Sequence, residues 1–332
     1  LKYQHTGVAL TGVGSAAPVT ILDNDGLSQI VDTNDEWIST RTGIRQRRLA
    51  GVEESLTTIA TTAAQRALEM AGVSPIDLDL IILATSTSDD LFGSACRLQN
   101  ALGANRAVAF DLTAACSGFV FGMVTAAQFI RTGTYQTVLL VGADVLSRWT
   151  DWQDRRTCIL FGDGAGAVVM QANAVDHLLS FELRSDGTQN NSLNLAYSPA
   201  AQEIGAGVTI AQGTYQPITM NGQEVYRFAV KQVPEVLEKA LYRAGISVDQ
   251  VDWLLLHQAN QRILDAVADR LGIPQEKVIS NLANYGNTSA ASIPLALDGE
   301  VRQGNVKPGD VIACSGFGAG LTWGATIFRW GP

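Results

Sequence analysis

The sequence predicts an α/β protein built from two duplicated halves and packed as alternating layers, αβαβα. Two observations carry this. Residues 67–84, ALEMAGVSPIDLDLIILA, match residues 240–257, ALYRAGISVDQVDWLLLH, at seven of eighteen positions, a shift of 173 residues. The same shift lays VLLVGA (138–143) on VIACSG (311–316) and puts Cys116 opposite Ser289. A constant shift without insertion points to gene duplication, with halves at 1–172 and 173–332. The second observation is that helix-patterned segments alternate with short, continuously apolar runs. Such runs suit strands buried on both faces, and the alternation indicates mostly parallel sheets covered by helices.

Along the chain, SLTTIATTAAQRALEMAG has apolar positions at helical spacing, with Ser55 as N-cap and Gly72 as stop. LDLIILAT follows as a buried strand. Ala107 to Leu112 reads as a strand that passes through Thr113 and two alanines into a helix beginning near Ser117. TVLLVGAD is the next strand. The stretch from 185 to 216, rich in Gly, Asn, Gln and Thr, reads as an elaborated loop region. FAVKQVPEVLEKALYRAG is a helix ending at Gly245, and VDWLLLH and DVIACSG are buried strands.

At 332 residues, 46% hydrophobic and 17% charged, the chain can bury a large core. No apolar run reaches the roughly 20 residues of a membrane span, and LKYQHTGVAL lacks a signal-peptide layout, which suggests a cytoplasmic protein, or a stromal one in a plastid. Cys96, Cys116, Cys158 and Cys314 show no C-x-x-C spacing, so reduced thiols are expected. A net charge of −9 argues against a nucleic-acid binder. Within that acidic whole, Arg41, Arg45, Arg47 and Arg48 cluster, Arg155 and Arg156 are adjacent, and Arg227, Lys231, Arg262 and Arg270 gather in the second half. They read as a basic mouth on an acidic body.

Three positions carry chemistry. Cys116 sits at a helix N-terminus, where unpaired N–H groups and the macrodipole favour a thiolate. Of the three histidines, His5, His177 and His257, the last ends a strand, where a scaffold presents function. Asn284 and Asn287 flank a Tyr-Gly turn before another helix, and Asn287 completes the set. Gly162-Asp-Gly164-Ala-Gly166 lacks dinucleotide-binding spacing, and there is no Walker A sequence or G-x-S-x-G elbow. With scattered histidines and no paired cysteines, no metal site is expected.

AACSGF, HQAN and NYGNTSAASIP resemble the cysteine, histidine and asparagine motifs of β-ketoacyl-acyl-carrier-protein synthase III, the initiating condensing enzyme of fatty acid synthesis. The similarity extends through DEWISTRTGIRQRR, FGDGAGA and GFGAGLTWG, nearly the whole chain. It implies a thiolase-like fold, a homodimer, and no cofactor beyond coenzyme A thioester as substrate. The implied reaction is decarboxylative condensation of a short acyl-CoA, acetyl-CoA first, with malonyl-acyl carrier protein. Cys116 would take the acyl group, with N–H groups of Cys116 and Ala319 as oxyanion donors and His257 and Asn287 stabilising the enolate.

By the same resemblance, Trp37 and Arg155 would sandwich the adenine of coenzyme A, with Arg41 and Thr42 nearby and Asn260 on the pantetheine. Phe92, Phe161, Met220 and Phe317 would shape the acyl pocket, Phe92 by crossing to a partner subunit. Arg227 and Arg262 would dock the carrier protein. Two departures stand out: Ala319 replaces the middle of three glycines, which would strain any φ > 0 there, and Asp269 precedes Arg270 where a basic residue would aid docking. The alternatives are a degradative thiolase, disfavoured by Asn287 and by Cys314 lying in a strand; a chalcone-type, polyketide, quinolone or hydrocarbon starter enzyme; and a non-catalytic acyl-carrier-binding paralogue.

Overall fold

A computed structural model describes residues 6–332; His5 lies outside them. One five-stranded sheet is formed by β1 (Gly7–Ala16), β2 (Leu80–Ala84), β3 (Val108–Leu112), β4 (Thr137–Val145) and β5 (Asp163–Asn173), in the order β1-β5-β4-β2-β3. The other contains β6 (Leu178–Ser185), β7 (Trp253–Leu256), β8 (Val278–Ile279), β9 (Val311–Gly318) and β10 (Thr322–Arg329), in the order β6-β10-β9-β7-β8. The two orders are the same.

The sheets are mixed, which corrects the expectation of mostly parallel strands. β2, β3 and β4 pair in parallel, as do β7, β8 and β9. By contrast β5 and β10 run antiparallel to both neighbours. For β10 the cause is connection length. Only Ala319 to Leu321 separate β9 from β10, far short of a crossover, so the chain must return as a hairpin.

The helices are α1 (Asp35–Thr42), α2 (Leu56–Ala71), α3 (Gly118–Arg131), α4 (Gly222–Ala244), α5 (Gln261–Leu271) and α6 (Ser292–Arg302), with shorter ones between. α3 and α6 touch both sheets, whereas α2 packs only on the first and α4 only on the second. The result is the five-layer αβαβα arrangement. Sequence accounts for these places: α3 buries Phe119, Val120, Met123, Val124, Ala127 and Ile130 around most of its circumference, as a sandwiched helix must. α2 instead presents an alanine face, Ala60, Ala63, Ala64 and Ala67, to β1. It begins with a Ser55 capping box and stops at Gly72 in the left-handed conformation, as predicted, and α4 stops likewise at Gly245.

The stretch read as loop is instead an exposed antiparallel hairpin, Tyr197–Gly205 with Val208–Tyr215. Neither face is buried, so its residues carry no apolar alternation to betray a strand.

The internal register also needs correction. Leu80 pairs with Val138 and Trp253 with Ile312, and Gly142 pairs with Gly166 as Gly316 does with Gly324. Hence Val138 corresponds to Ile312, one residue beyond the shift read from letters. Ala115 and Ser289, with left-handed φ of 46° and 50°, occupy equivalent turns, so the counterpart of Cys116 is Ala290 and not Ser289. These two turns touch each other at the centre of the molecule. A Cβ on Gly142 would overlap the carbonyl oxygen of Ala290, and one on Gly316 would sit 3.1 Å from Ser117 Cα. Gly142→Ala is therefore predicted to destabilise the protein by about 1–3 kcal/mol, the cost of overpacking a fixed core. A lowered urea midpoint at unchanged m-value is the expected reading, and an unaltered midpoint would refute the close approach.

Candidate active site

The crossing of the two turns assembles the site. Cys116 follows Ala115 in a single 3-10 turn and is 7% exposed, just ahead of α3. His257 lies one residue past β7, and Asn287 precedes the turn that leads into α6. All three line one apolar cavity of about 100 Å³, together with Phe161, Met220 and Phe317. The three chemical residues and three of the four pocket aromatics and methionine named from sequence thus meet in one place.

Hydrogen bonds orient both candidate donors. His257 Nδ1 is 2.7 Å from Ser292 Oγ, which also accepts the Gln258 N–H at 3.3 Å. When the Ser292 hydroxyl donates to Nδ1, the imidazole N–H falls on Nε2. Gln258 is pinned in turn by the Leu256 and Ile279 carbonyls and by the Asn281 N–H. Phe317 meets the imidazole edge to face at 5.3 Å. Asn287 Oδ1 accepts the Ser289 N–H at 2.9 Å, which leaves its amide N–H groups for the cavity. Its backbone is fixed by Leu160 and Gly162 on the facing strand bridge.

Desolvation dominates the electrostatics. It lowers the His257 pKa to about 3, so the ring is a neutral donor at physiological pH. It pushes the Cys116 thiol up to about 12, helped by the nearby Asp144 charge and opposed by hydrogen bonds from Ser289 and the Cys116 backbone. The expectation of a resting thiolate at the helix N-terminus is therefore corrected, because burial outweighs the favourable N–H groups.

The loop after β9 fits closely over Cys116. An ideal Cβ on Gly318 would come within 2.6 Å of Cys116 N, so only glycine permits this approach. The non-glycine residues with left-handed φ among those described are Ala115, Ala206 and Ser289. Ala319 is outside that region, and the strain anticipated there does not arise.

The Trp37 indole carries two guanidiniums against its ring, Arg41 at 4.6 Å and Arg155 at 5.0 Å from the centroid. Asn260 lines the cavity, caps α5 by accepting the Arg262 N–H, and donates to the Arg41 carbonyl at 3.1 Å. Arg262 donates to the Thr40 carbonyl, and Arg227 is exposed on α4. Thr42 stands apart from these: it is buried, donates to Ile38 and accepts from Ile44 N–H, and so finishes α1 without facing a ligand. Arg47 also leaves the basic mouth, because it is fully buried and holds Asn24 and the Leu22 and Ile159 carbonyls. Phe92 is fully exposed beside Leu91 and Cys96, in a separate depression that the single chain does not join to the cavity.

Sequence reasoning missed Ser292 and Gln258, which set the His257 ring, and Asp144, a buried carboxylate beneath the nucleophile turn. Ser292 stands in the quoted NTSAASIP segment, but nothing in its letter tells that its hydroxyl reaches another strand.

His257 should leave a mark on acid stability. Below about pH 6.5 the unfolded chain binds a proton that the buried ring refuses until about pH 3, so stability is lost as pH falls through that window, at up to about 1.4 kcal/mol per unit. Urea unfolding at several pH values should show a shallower acid loss in His257→Gln than in the parent. Parallel curves would contradict a buried neutral imidazole.

Comparison with known proteins agrees with this geometry. Residues 110–187 match the family described as 3-oxoacyl-[acyl-carrier-protein (ACP)] synthase III, and residues 241–330 match its C-terminal family. The β-ketoacyl-[acyl-carrier-protein] synthase III of Nostoc sp. is 71% identical over 328 residues, covering 99% of each chain. The crystal structure of 3-oxoacyl-[acyl-carrier-protein] synthase III from Aquifex aeolicus superposes with a TM-score of 0.89 at 44% identity, covering 98% of this chain and 100% of that one. A priming β-ketosynthase of a polyketide pathway gives 0.91 at 35% identity, covering 99% and 97%. With cysteine, histidine and asparagine converging on one cavity of a thiolase-like fold, the chain belongs to the β-ketoacyl-[acyl-carrier-protein] synthase III family.

Proposed function

We propose that this enzyme initiates fatty acid synthesis by condensing a short acyl-CoA, acetyl-CoA first, with malonyl-acyl carrier protein. The observation that carries the reading is the meeting of Cys116, His257 and Asn287 in one apolar cavity, with both polar donors neutral and their N–H groups left free by the surrounding network. Cys116 Sγ attacks the thioester carbonyl, N–H groups of Cys116 and the Gly318–Ala319 loop receive the oxyanion, and its collapse breaks the carbon–sulfur bond to coenzyme A, which leaves as a thiol with the proton that Cys116 gives up. Malonyl thioester then loses carbon dioxide while His257 Nε2 and Asn287 Nδ2 hold the charge on the enolate oxygen. Neutral donors suit this step: a charged imidazolium would be costly in so dry a cavity, and a carboxylate would repel the enolate. The enolate carbon attacks acyl-Cys116, and the thiol returns when the β-ketoacyl thioester leaves. The small cavity supports a short starter.

The carrier reading rests on the Trp37–Arg41–Arg155 stack, which suits an adenine, and on Asn260 for the pantetheine. Arg227 and Arg262 would meet an acidic carrier protein. For the homodimer, support comes from the open edge of β3 beside Leu91 and Phe92, which are 84% and 103% exposed; burial against a partner would also carry Phe92 toward a neighbouring pocket. Among the described residues no helix is long and apolar enough to cross a membrane. A cytoplasmic or stromal site of action and descent from two duplicated halves, 1–172 and 173–332, belong to the same proposal; the shared strand order supports the latter. Polyketide priming is a second reading, favoured by the priming ketosynthase above but at half the identity of the Nostoc relative.

Intact-mass measurement after exposure to a panel of acyl-CoA thioesters tests the assignment. A short acyl mass should appear on Cys116 in the parent, in His257→Ala and in Asn287→Ala. Carbon dioxide release from malonyl carrier protein should fall by about 10²-fold or more in both variants, the scale of a lost oxyanion donor. Acylation on Cys96, Cys158 or Cys314 would overturn the nucleophile, and near-parent decarboxylation would remove that residue from the enolate role.

A further inference from the structure

Two hydroxyls tie the nucleophile turn to the hairpin that covers it. Ser117, fully buried, follows Cys116, and Thr322 opens β10 directly after the loop of Ala319 to Leu321. Their oxygens are 2.6 Å apart. Ser117 Oγ also reaches the Ala114 carbonyl at 2.6 Å, and Thr322 Oγ1 reaches the carbonyls of Ala114 at 3.1 Å and Ala319 at 3.2 Å. At so short a separation the two hydroxyls must share a proton, so one donates to the other and the receiving hydroxyl donates on to a carbonyl. If Ser117 receives, that carbonyl belongs to Ala114; if Thr322 receives, it belongs to Ala114 or Ala319. Every arrangement bonds the turn to the hairpin. The groups held in this way bracket Cys116 on one side and include Ala319 on the other.

The duplicated architecture supplies an internal control. Gly316 paired with Gly324 corresponds to Gly142 paired with Gly166, so Thr322 corresponds to Gly164. With Ala115 equivalent to Ser289, Ser117 corresponds to Ala291. The second crossing, where the turn of Ser289 to Ala291 meets β5, therefore has alanine and glycine in the two places and folds without either hydroxyl. A buried hydroxyl is costly unless it is bonded, and the fold itself has no need of this pair. The pair occurs only at the crossing that carries the thiol.

We propose that the Ser117–Thr322 clasp sets the spacing of the two oxyanion donors, the N–H groups of Cys116 and Ala319, and so serves acyl transfer in particular. Neither side chain lines the cavity, so both are positioning residues that act through the backbone they hold. The decarboxylating donors are fixed by other bonds, His257 by Ser292 and Asn287 by Leu160, Gly162 and Ser289, and do not depend on the clasp. The inference rests on Cys116 being the nucleophile and on those two N–H groups receiving the oxyanion, as proposed above.

The test compares the two half-reactions in Thr322→Val, which keeps the shape of the side chain and removes the hydroxyl, and in Ser117→Ala. Acyl transfer from a short acyl-CoA to Cys116, followed by quenched intact-mass measurement, should be slower by about tenfold or more in both variants at saturating acyl-CoA, with half-saturation unchanged, as a misplaced oxyanion donor requires. Carbon dioxide release from malonyl carrier protein by enzyme that has not been acylated should stay within about twofold of the parent. Thr322→Ser, which restores the hydroxyl, should recover most of the acyl-transfer rate. Parent-like acyl transfer in Thr322→Val and Ser117→Ala overturns the clasp, and so does a loss of both half-reactions by the same factor, the mark of a generally loosened fold. A parent that takes no acyl group on Cys116 overturns the nucleophile assignment, and the clasp's role with it.

Discussion

The close crossing of two turns, one from each sheet, is the contact on which the rest of the molecule depends. Gly142 and Gly316 let each turn press against the opposite sheet, and Gly318 lets the β9–β10 hairpin close over Cys116 N. What this contact achieves is the exclusion of water. A thiol, an imidazole and an amide are brought together where charge is expensive, and all three are consequently neutral at rest. Decarboxylation benefits directly, since a developing enolate in such a cavity gains most from donors already aimed at it.

The same dryness makes the first half-reaction harder, because a neutral thiol is a poor nucleophile. The site therefore carries a tension between the two steps it must perform: one wants no charge before substrate arrives, the other needs a thiolate at the moment of attack. Asp144, buried at the end of β4, lies close enough that its charge adds to the burial that disfavours a resting thiolate.

Much of this was legible in the letters. The apolar runs and the caps at Ser55, Gly72 and Gly245 give the layers, and AACSGF, HQAN and NYGNTSAASIP point to Cys116, His257 and Asn287. What was not legible depends on geometry that residue type does not encode. Antiparallel β10 follows from the short connection after β9, and the register of the duplication is read from φ at Ala115 and Ser289 and from strand pairing, because small residues exchange freely in those turns. Arg47 and Thr42 look like ligand groups in sequence, but their polar atoms are spent on backbone carbonyls and N–H groups inside the fold. Asp144 reads as an ordinary strand end, and the exposed hairpin as loop, since in neither case does a pattern of apolar residues report what surrounds the chain.

The state of the resting thiol is the most direct measure of this account. Ultraviolet thiolate absorbance of the parent, titrated against Cys116→Ser, isolates Cys116 from the exposed Cys96 and the two other buried thiols. If desolvation governs the site, the difference should show no ionisation step below about pH 9, in line with a pKa held near 12. A step at or below neutral pH would mean that the helix N-terminus prevails over burial, and would contradict the dry, neutral site on which the account rests.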